Sequence, residues 1–426
     1  MRKGASGAFA LQICSAGLGL IAHIVVARLL GVEEYGTYAL ALTWVTVLTV
    51  PALIGQDTSV VRFLPTYCYH GAWDKARGLR RGVSLMVLIA SLAIAVLGAL
   101  IVYQIRAHLG TRLEHTLLAG FMLLPVLTQL QLSSALHRAL KRPVSSVIFN
   151  GVLRPIMLMG ILLTLWLGLN HQLNAPFAIC ASALAAVFAF AACSWFLARA
   201  WPPAAKAIRP TYCISVWSTV GAQLLLISAL YITLNRLGVL VIGGLGGSNV
   251  VGPYYAAVHL GSLAGYGLTA VNTILAPTIA ERYHAGEHDA LANIVHDAAW
   301  LTFMVTVAVT LPLGLAGYWV LGLFGPAFHK AYVPLLIILA GYCASAMAGP
   351  TGYLMTMTRF ERPASLIMGG GAVLNVLLCL VLVPPLGMIG AAVAIATATI
   401  AWKFAALVFV YRRMNVNPSI FPIAGV

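Results

Sequence analysis

Val83 to Ile105 reads VSLMVLIASLAIAVLGALIVYQI, 23 residues without a charge, entered after Arg80 and Arg81 and left at Arg106. A helix rises 1.5 Å per residue, so about 20 apolar residues cross the ~30 Å hydrocarbon core of a bilayer. The strict apolar–polar alternation of a membrane β-strand is absent. Backbone groups in lipid must bond within their own segment, and an isolated segment does so only as an α-helix. The run therefore reads as a transmembrane helix.

The same pattern recurs along the whole chain. Apolar runs lie at 8–28, 38–60, 83–105, 116–137, 145–168, 176–198, 216–243, 254–279, 298–320, 333–357, 364–383 and 388–411. The expected fold class is an all-α polytopic membrane protein of about twelve spans. Composition agrees, because only 8% of the 426 residues are charged and 61% are hydrophobic. A soluble domain carries about 25% charged residues, which this chain does not have to cover a water-facing surface. No large extramembrane domain is expected, the longest connection being the stretch near 62–82. Met1-Arg2-Lys3 leads into an apolar run too long for a signal-peptide core, so no cleavable signal is expected.

The net charge of +15 comes from 25 Lys and Arg against 10 Asp and Glu. In a soluble chain this would point to nucleic acid. Here the cations sit in short loops, where they set orientation instead, and no nucleic-acid partner is expected. Alternate loops hold eighteen of them, among them Arg77, Arg80, Arg81, Arg138, Lys141, Arg142, Arg412 and Arg413, while the opposite set holds four, Arg28, Arg106, Arg112 and Lys330. The positive-inside rule then puts both termini in the cytoplasm. The seven cysteines contain no CxxC pair. They read as small packing residues, with no metal site or cofactor expected.

Landmarks recur between the halves of the chain. Leu30-Gly31 through Gly36-Thr37-Tyr38 joins spans 1 and 2, and Leu245-Gly246 through Gly252-Pro253-Tyr254 joins spans 7 and 8. Leu64-Pro65-Thr66 is matched by Ala276-Pro277-Thr278, and Lys141-Arg142-Pro143 by Glu361-Arg362-Pro363. Ordered repetition predicts two six-helix lobes, 1–205 and 206–426, related by an axis along the membrane normal.

The stretch Ala27-Arg28-Leu29-Leu30-Gly31-Val32-Glu33-Glu34-Tyr35-Gly36-Thr37-Tyr38 resembles a motif of the Wzx-type lipid-linked oligosaccharide flippases, within the multidrug/oligosaccharidyl-lipid/polysaccharide exporter superfamily. Arg62-Phe63-Leu64-Pro65, Asn235-Arg236, Val251-Gly252-Pro253-Tyr254-Tyr255 and Gly387-Met388-Ile389-Gly390-Ala391-Ala392 are similar to further family segments in the same order. The resemblance implies alternating access and a cationic cavity between the lobes. It also implies a substrate of undecaprenyl pyrophosphate carrying a short glycan, with a polysaccharide polymerase and assembly proteins as possible partners.

Three cations fall inside spans: Arg154, about 14 Å into span 5; Arg236, in the outer half of span 7; and Lys403, about 12 Å into span 12. A charge at the bilayer centre costs roughly 2.5–3.5 kcal/mol on insertion scales, so such residues face a cavity or a partner. Only one acid, Asp57, lies within a span. The excess cations suit a diphosphate, which guanidinium binds in a fork and ammonium as a point charge. The candidate substrate-binding set is Arg154, Arg236, Lys403 and Arg28, with snorkelling to the interface as the structural alternative. Asp57 is either a coupling group or the partner of Arg62. Tyr38, Trp44, Tyr231, Tyr254, Tyr255 and Tyr266 are candidates to stack on sugars or simply to pack.

Transport rather than catalysis is the expectation. A multidrug exporter of the same superfamily calls for acids in its cavity. A membrane glycosyltransferase or polymerase calls for acidic residues in large loops. A facilitator-type sugar carrier calls for a motif missing from Tyr69 to Arg81.

Overall fold

The structure, a computed structural model, describes residues 2–168, 172–202, 208–265, 288–358, 360–414 and 416–421. Helices are numbered here in chain order: α1 Arg2–Leu53, α2 Gln56–Tyr69, α3 Trp73–Ile105, α4 Thr111–Ala139, α5 Pro143–Val147, α6 Arg154–Gly168, α7 Ala175–Ala200 and α8 Ile214–Leu245. They continue with α9 at 248–265, α10 His288–Phe324, α11 Tyr332–Met347, α12 Thr351–Met357, α13 Glu361–Leu386 and α14 Met388–Met414. Among the described residues there is no β-strand.

Among the described residues, ten stretches are long and apolar enough to cross a membrane. One of them, Leu11–Leu53, covers most of both of the first two expected spans. The chain stays helical through this stretch except at Gly31, whose φ of 78° and ψ of 174° break the backbone run. A residue with a Cβ rarely takes that conformation, so glycine suits this bend. Expected span 8, 254–279, lies partly outside the described residues. Span 2 ends at Leu53 rather than at residue 60, and span 10 at Met347 rather than at 357, because glycine-centred breaks interrupt both: Ile54-Gly55 and Gly349 take positive φ.

The chain divides into two compact units, Met1–Ile232 and Thr233–Val426, with the boundary inside α8. The start of α8 is built into the first unit. There Trp217 is fully buried in an apolar cluster with Leu53, Val60, Leu64, Leu79, Leu136 and Trp201. Backbone bonds reinforce the attachment: the Thr211 amide donates to the Asp74 carbonyl at 3.1 Å. Arg77 also donates to the Ile208 carbonyl at 2.6 Å.

Within the first unit α4 is the hub, touching α1, α2, α3 and α7. It is also the most polar of the spans, carrying Thr128, Gln129, Gln131, Ser133, Ser134 and His137. In lipid there is no hydrophobic drive to bury apolar groups, so polar residues face neighbouring helices. Gln129 donates to the Ser84 carbonyl of α3 at 2.9 Å, and the His137 ring bonds the Cys193 carbonyl of α7 at 3.1 Å. Helix α7 shows the complementary pattern. Ala178, Ala181, Ser182, Ala185, Ala189 and Cys193 are buried, while Phe177, Leu184, Phe188, Trp195 and Phe196 are exposed. Small residues at helical spacing let backbones approach, and the large ones meet lipid.

In the second unit α13 packs on α14, and α14 on α11. Gly261 and Gly265 of α9 lie against Ile338 and Tyr342 of α11. Gly371 lies against Trp402. Close packing thus accounts for these three glycines.

Candidate functional site

Arg154 is the first residue of α6 and follows a π-helical turn, Ile148–Leu153. Its amide donates to the Phe149 carbonyl five residues back. Such insertions widen the helix and re-aim the side chains that follow, and they cluster at functional sites. The glycine in this turn also lets α1 approach, since a methyl group at Gly151 would overlap the Ser15 hydroxyl. Arg154 is half-buried, and its guanidinium donates to Asn150 Oδ1 at 3.4 Å.

Arg236 is half-buried in the last part of α8. Its guanidinium carbon stands 5.8 Å from the centroid of the Tyr255 ring. Tyr255 in turn stacks on His259, one turn along α9, with centroids 6.4 Å apart and planes 7° from parallel. The helix carrying Arg236 is held nearby by Asn375, a fully buried residue of α13 whose side-chain amide donates to the Leu234 carbonyl at 3.1 Å. Gly238 leaves room for the Tyr254 phenol. Tyr255 is only 4% exposed, so its faces serve Arg236 and His259.

Lys403 of α14 is 5% exposed, with Nζ 4.8 Å from the centroid of the neighbouring Trp402 ring. Among the described residues, neither Arg236 nor Lys403 has a carboxylate oxygen within 4.0 Å. The ion pairs found there are those of Arg112 with Glu33, at 3.5 Å, and Glu34, at 3.1 Å. Glu34 also accepts from the Ala175 amide at 2.7 Å, stapling the bend after Gly31 to the start of α7. A carboxylate is favoured at a helix N-terminus, where free amides point outward.

Arg28 is exposed near the Gly31 bend. Asp57 and Arg62 both lie on α2 but do not pair. Positions i and i+5 sit on different faces of a helix. Arg62 accordingly points outward and is exposed, while Asp57 is half-buried and acts electrostatically on Arg138 of α4. In the sequence alone Arg138 reads only as a loop cation. Its place at the end of a buried helix is what brings it near Asp57. Tyr38 and Tyr254 are 1% exposed, and Tyr38 shares a 3.1 Å hydrogen bond with Ser182 of α7, so both rings are packing residues here. Trp44 and Tyr231 are exposed, and Tyr266 lies outside the described residues. Among the described residues, no group of three or more His, Cys, Asp or Glu is gathered as a metal site.

Residues 1–283 match the family model described as polysaccharide biosynthesis protein. The chain belongs to that family. No curated protein sequence matches it. Its fold is similar to that of an inward-facing multidrug resistance MATE transporter of the MOP superfamily, at 15% identity, a TM-score of 0.73 and 94% coverage of both chains. It is likewise similar to the lipid II flippase MurJ in an inward closed conformation: 14% identity, TM-score 0.66, covering 94% of this chain and 87% of that one. A MOP-superfamily transporter from Pyrococcus furiosus, described as having a binding pocket of reversed polarity, gives 13% identity and a TM-score of 0.58, covering 97% of this chain and 96% of that one. This member of the polysaccharide biosynthesis family is thus a multi-pass membrane protein with the MOP-superfamily fold.

Proposed function

We propose that this protein is a flippase that moves an undecaprenyl-pyrophosphate-linked oligosaccharide from the cytoplasmic to the periplasmic leaflet of the inner membrane. On this reading it has twelve spans, cytoplasmic termini and no catalytic role. The observation that carries the reading is the charge balance inside the membrane. Arg236 and Lys403 sit in spans with no carboxylate in reach among the described residues. An uncompensated cation in lipid is costly, and an anionic cargo offsets that cost. A drug exporter taking cationic cargo would need the opposite sign.

The diphosphate engages Arg154, Arg236 and Lys403, with Arg28 met later along the path. The glycan follows, and the prenyl tail stays in lipid. The product is then within reach of a polysaccharide polymerase and its assembly proteins. Each charge-assisted bond lost costs about 1.5–3 kcal/mol, or roughly ten- to hundredfold in rate or affinity. The test is flipping of a fluorescent prenyl-pyrophosphate oligosaccharide in proteoliposomes. The double substitution Arg154→Gln with Arg236→Gln should slow flipping by at least tenfold while insertion and yield stay normal. Undiminished flipping by that variant would make these arginines structural.

A further inference from the structure

Between α1 and α2 the backbone takes an unusual course. Ile54 has φ of 51° and Gly55 φ of 66°, two consecutive left-handed residues, the first β-branched. β-Branched residues are genuine outliers in that region. The break seats on α8 within the first unit. A methyl group at Gly55 would overlap the Gly221 carbonyl oxygen, and one at Gly221 would overlap Gln56 Nε2 and the Ile54 carbonyl oxygen. One turn earlier on α8, the Trp217 carbonyl accepts from Gln56 Nε2 at 3.1 Å, and the Trp217 indole donates to the Tyr67 hydroxyl at 3.2 Å. Two polar atoms are left over at this seat. Gln56 Oε1 and the Ser59 hydroxyl are fully buried and have no hydrogen-bond partner among the described residues.

Strain and unsatisfied polar groups are thus concentrated at one contact, and the fit of Gly55 on Gly221 holds them there. Separation of that contact removes both costs. Ile54 returns to right-handed geometry, joining α1 to α2, and the two oxygens gain water. An element whose closed form is strained and whose open form is hydrated is a two-position element with a small gap between states, which is what a transport cycle can bias.

We propose that the Ile54–Gly55 break, seated on Trp217 and Gly221, is a latch that releases α8 from α2 once in each transport cycle. The proposal rests on the transporter reading above. By the distribution of basic residues the latch lies on the cytoplasmic side. The helix it grips, α8, carries Arg236 fifteen residues beyond Gly221, so capture of an anion and release of the latch act on one element.

Thiol accessibility in a cysteine-free background tests this. Ser59→Cys places a small reporter under the latch, and Tyr69→Cys, at a site 87% exposed, gives the open reference. With a membrane-impermeant maleimide, Ser59→Cys should label at least tenfold more slowly than Tyr69→Cys. Adding Gly221→Ala, which cannot seat, should raise its rate about tenfold. Adding Ile54→Gly, which relieves the strain of the closed form, should lower it and raise the melting temperature in detergent. Labelling of Ser59→Cys at the reference rate, or rates indifferent to both substitutions, would overturn the latch. If Gly221→Ala fails to insert, the Ile54→Gly arm decides alone, and faster labelling there overturns the proposal. Addition of the prenyl-pyrophosphate oligosaccharide should change the labelling rate of Ser59→Cys without further substitution. Rates that obey the two substitutions but ignore that cargo support the latch and count against the cargo.

Discussion

Arg236 illustrates how a single cation is supported in a membrane. Its guanidinium meets the Tyr255 ring, the ring rests on His259, and Asn375 holds the helix through the Leu234 carbonyl. A cation over an aromatic face gains about 0.5–2 kcal/mol, the larger value when water is excluded. Tyr255→Ala should therefore reduce flipping about three- to thirtyfold, whereas Tyr255→Phe, which keeps the ring, should stay within twofold of wild type. Rates measured in proteoliposomes at matched protein density check this. Equal loss in both variants would shift the role from the ring to the hydroxyl. Arg236 was legible in the sequence because a charge in an apolar run stands out. Its supports were not, since Tyr255, His259 and Asn375 are 19, 23 and 139 residues away along the chain and only folding brings them together.

At the scale of the element, helices in lipid read inside out. Helix α7 turns alanines toward α4 and aromatic rings outward, and α4 buries its hydroxyls and amides. Enlarging Ala181 and Ala185 together to leucine should destabilise the first unit by about 1–3 kcal/mol per site, the usual cost of overpacking. Phe188→Leu on the exposed face should have no measurable effect. Reversible unfolding in mixed micelles distinguishes the two faces, and equal sensitivity would mean that α7 packs otherwise. The glycine-centred breaks at Gly31 and Ile54-Gly55 belong to this scale too. Burial pushes the Cys68 thiol at the end of α2 above its ordinary range, so this thiol should react slowly with maleimide at neutral pH.

For the whole molecule the decisive quantity is net charge in the membrane. On the flippase reading, the empty protein carries intramembrane cations that the cargo neutralises. A potential negative inside then favours return of the empty form, by roughly 2.3 kcal/mol per charge per 100 mV if the charge crosses the full field. Flipping in proteoliposomes should accelerate when a potassium diffusion potential, negative inside, is imposed on inside-in oriented protein, and slow when it is reversed. Rates that ignore the potential would show that return is not electrically driven. A ligand of equal affinity for both states shifts neither, so the cations must also hold the anion more tightly in one state.

What the amino-acid sequence determined by itself is the solvent and the order of the parts. Apolar runs of bilayer length and alternating basic loops are local properties, and lipid leaves such runs no option but helix. It also marked the intramembrane charges, because their cost in lipid does not depend on fold. Tertiary structure alone decided where the helices break, where the first unit ends and what each cation meets. The start of α8 joined the first unit because Trp217 found a buried place beside Leu64 and Leu136. Asp57 came to act on Arg138 rather than Arg62 because a helix turns 100° per residue and sends those two side chains apart. Such outcomes are set by packing between residues far apart in the chain, which no local pattern encodes.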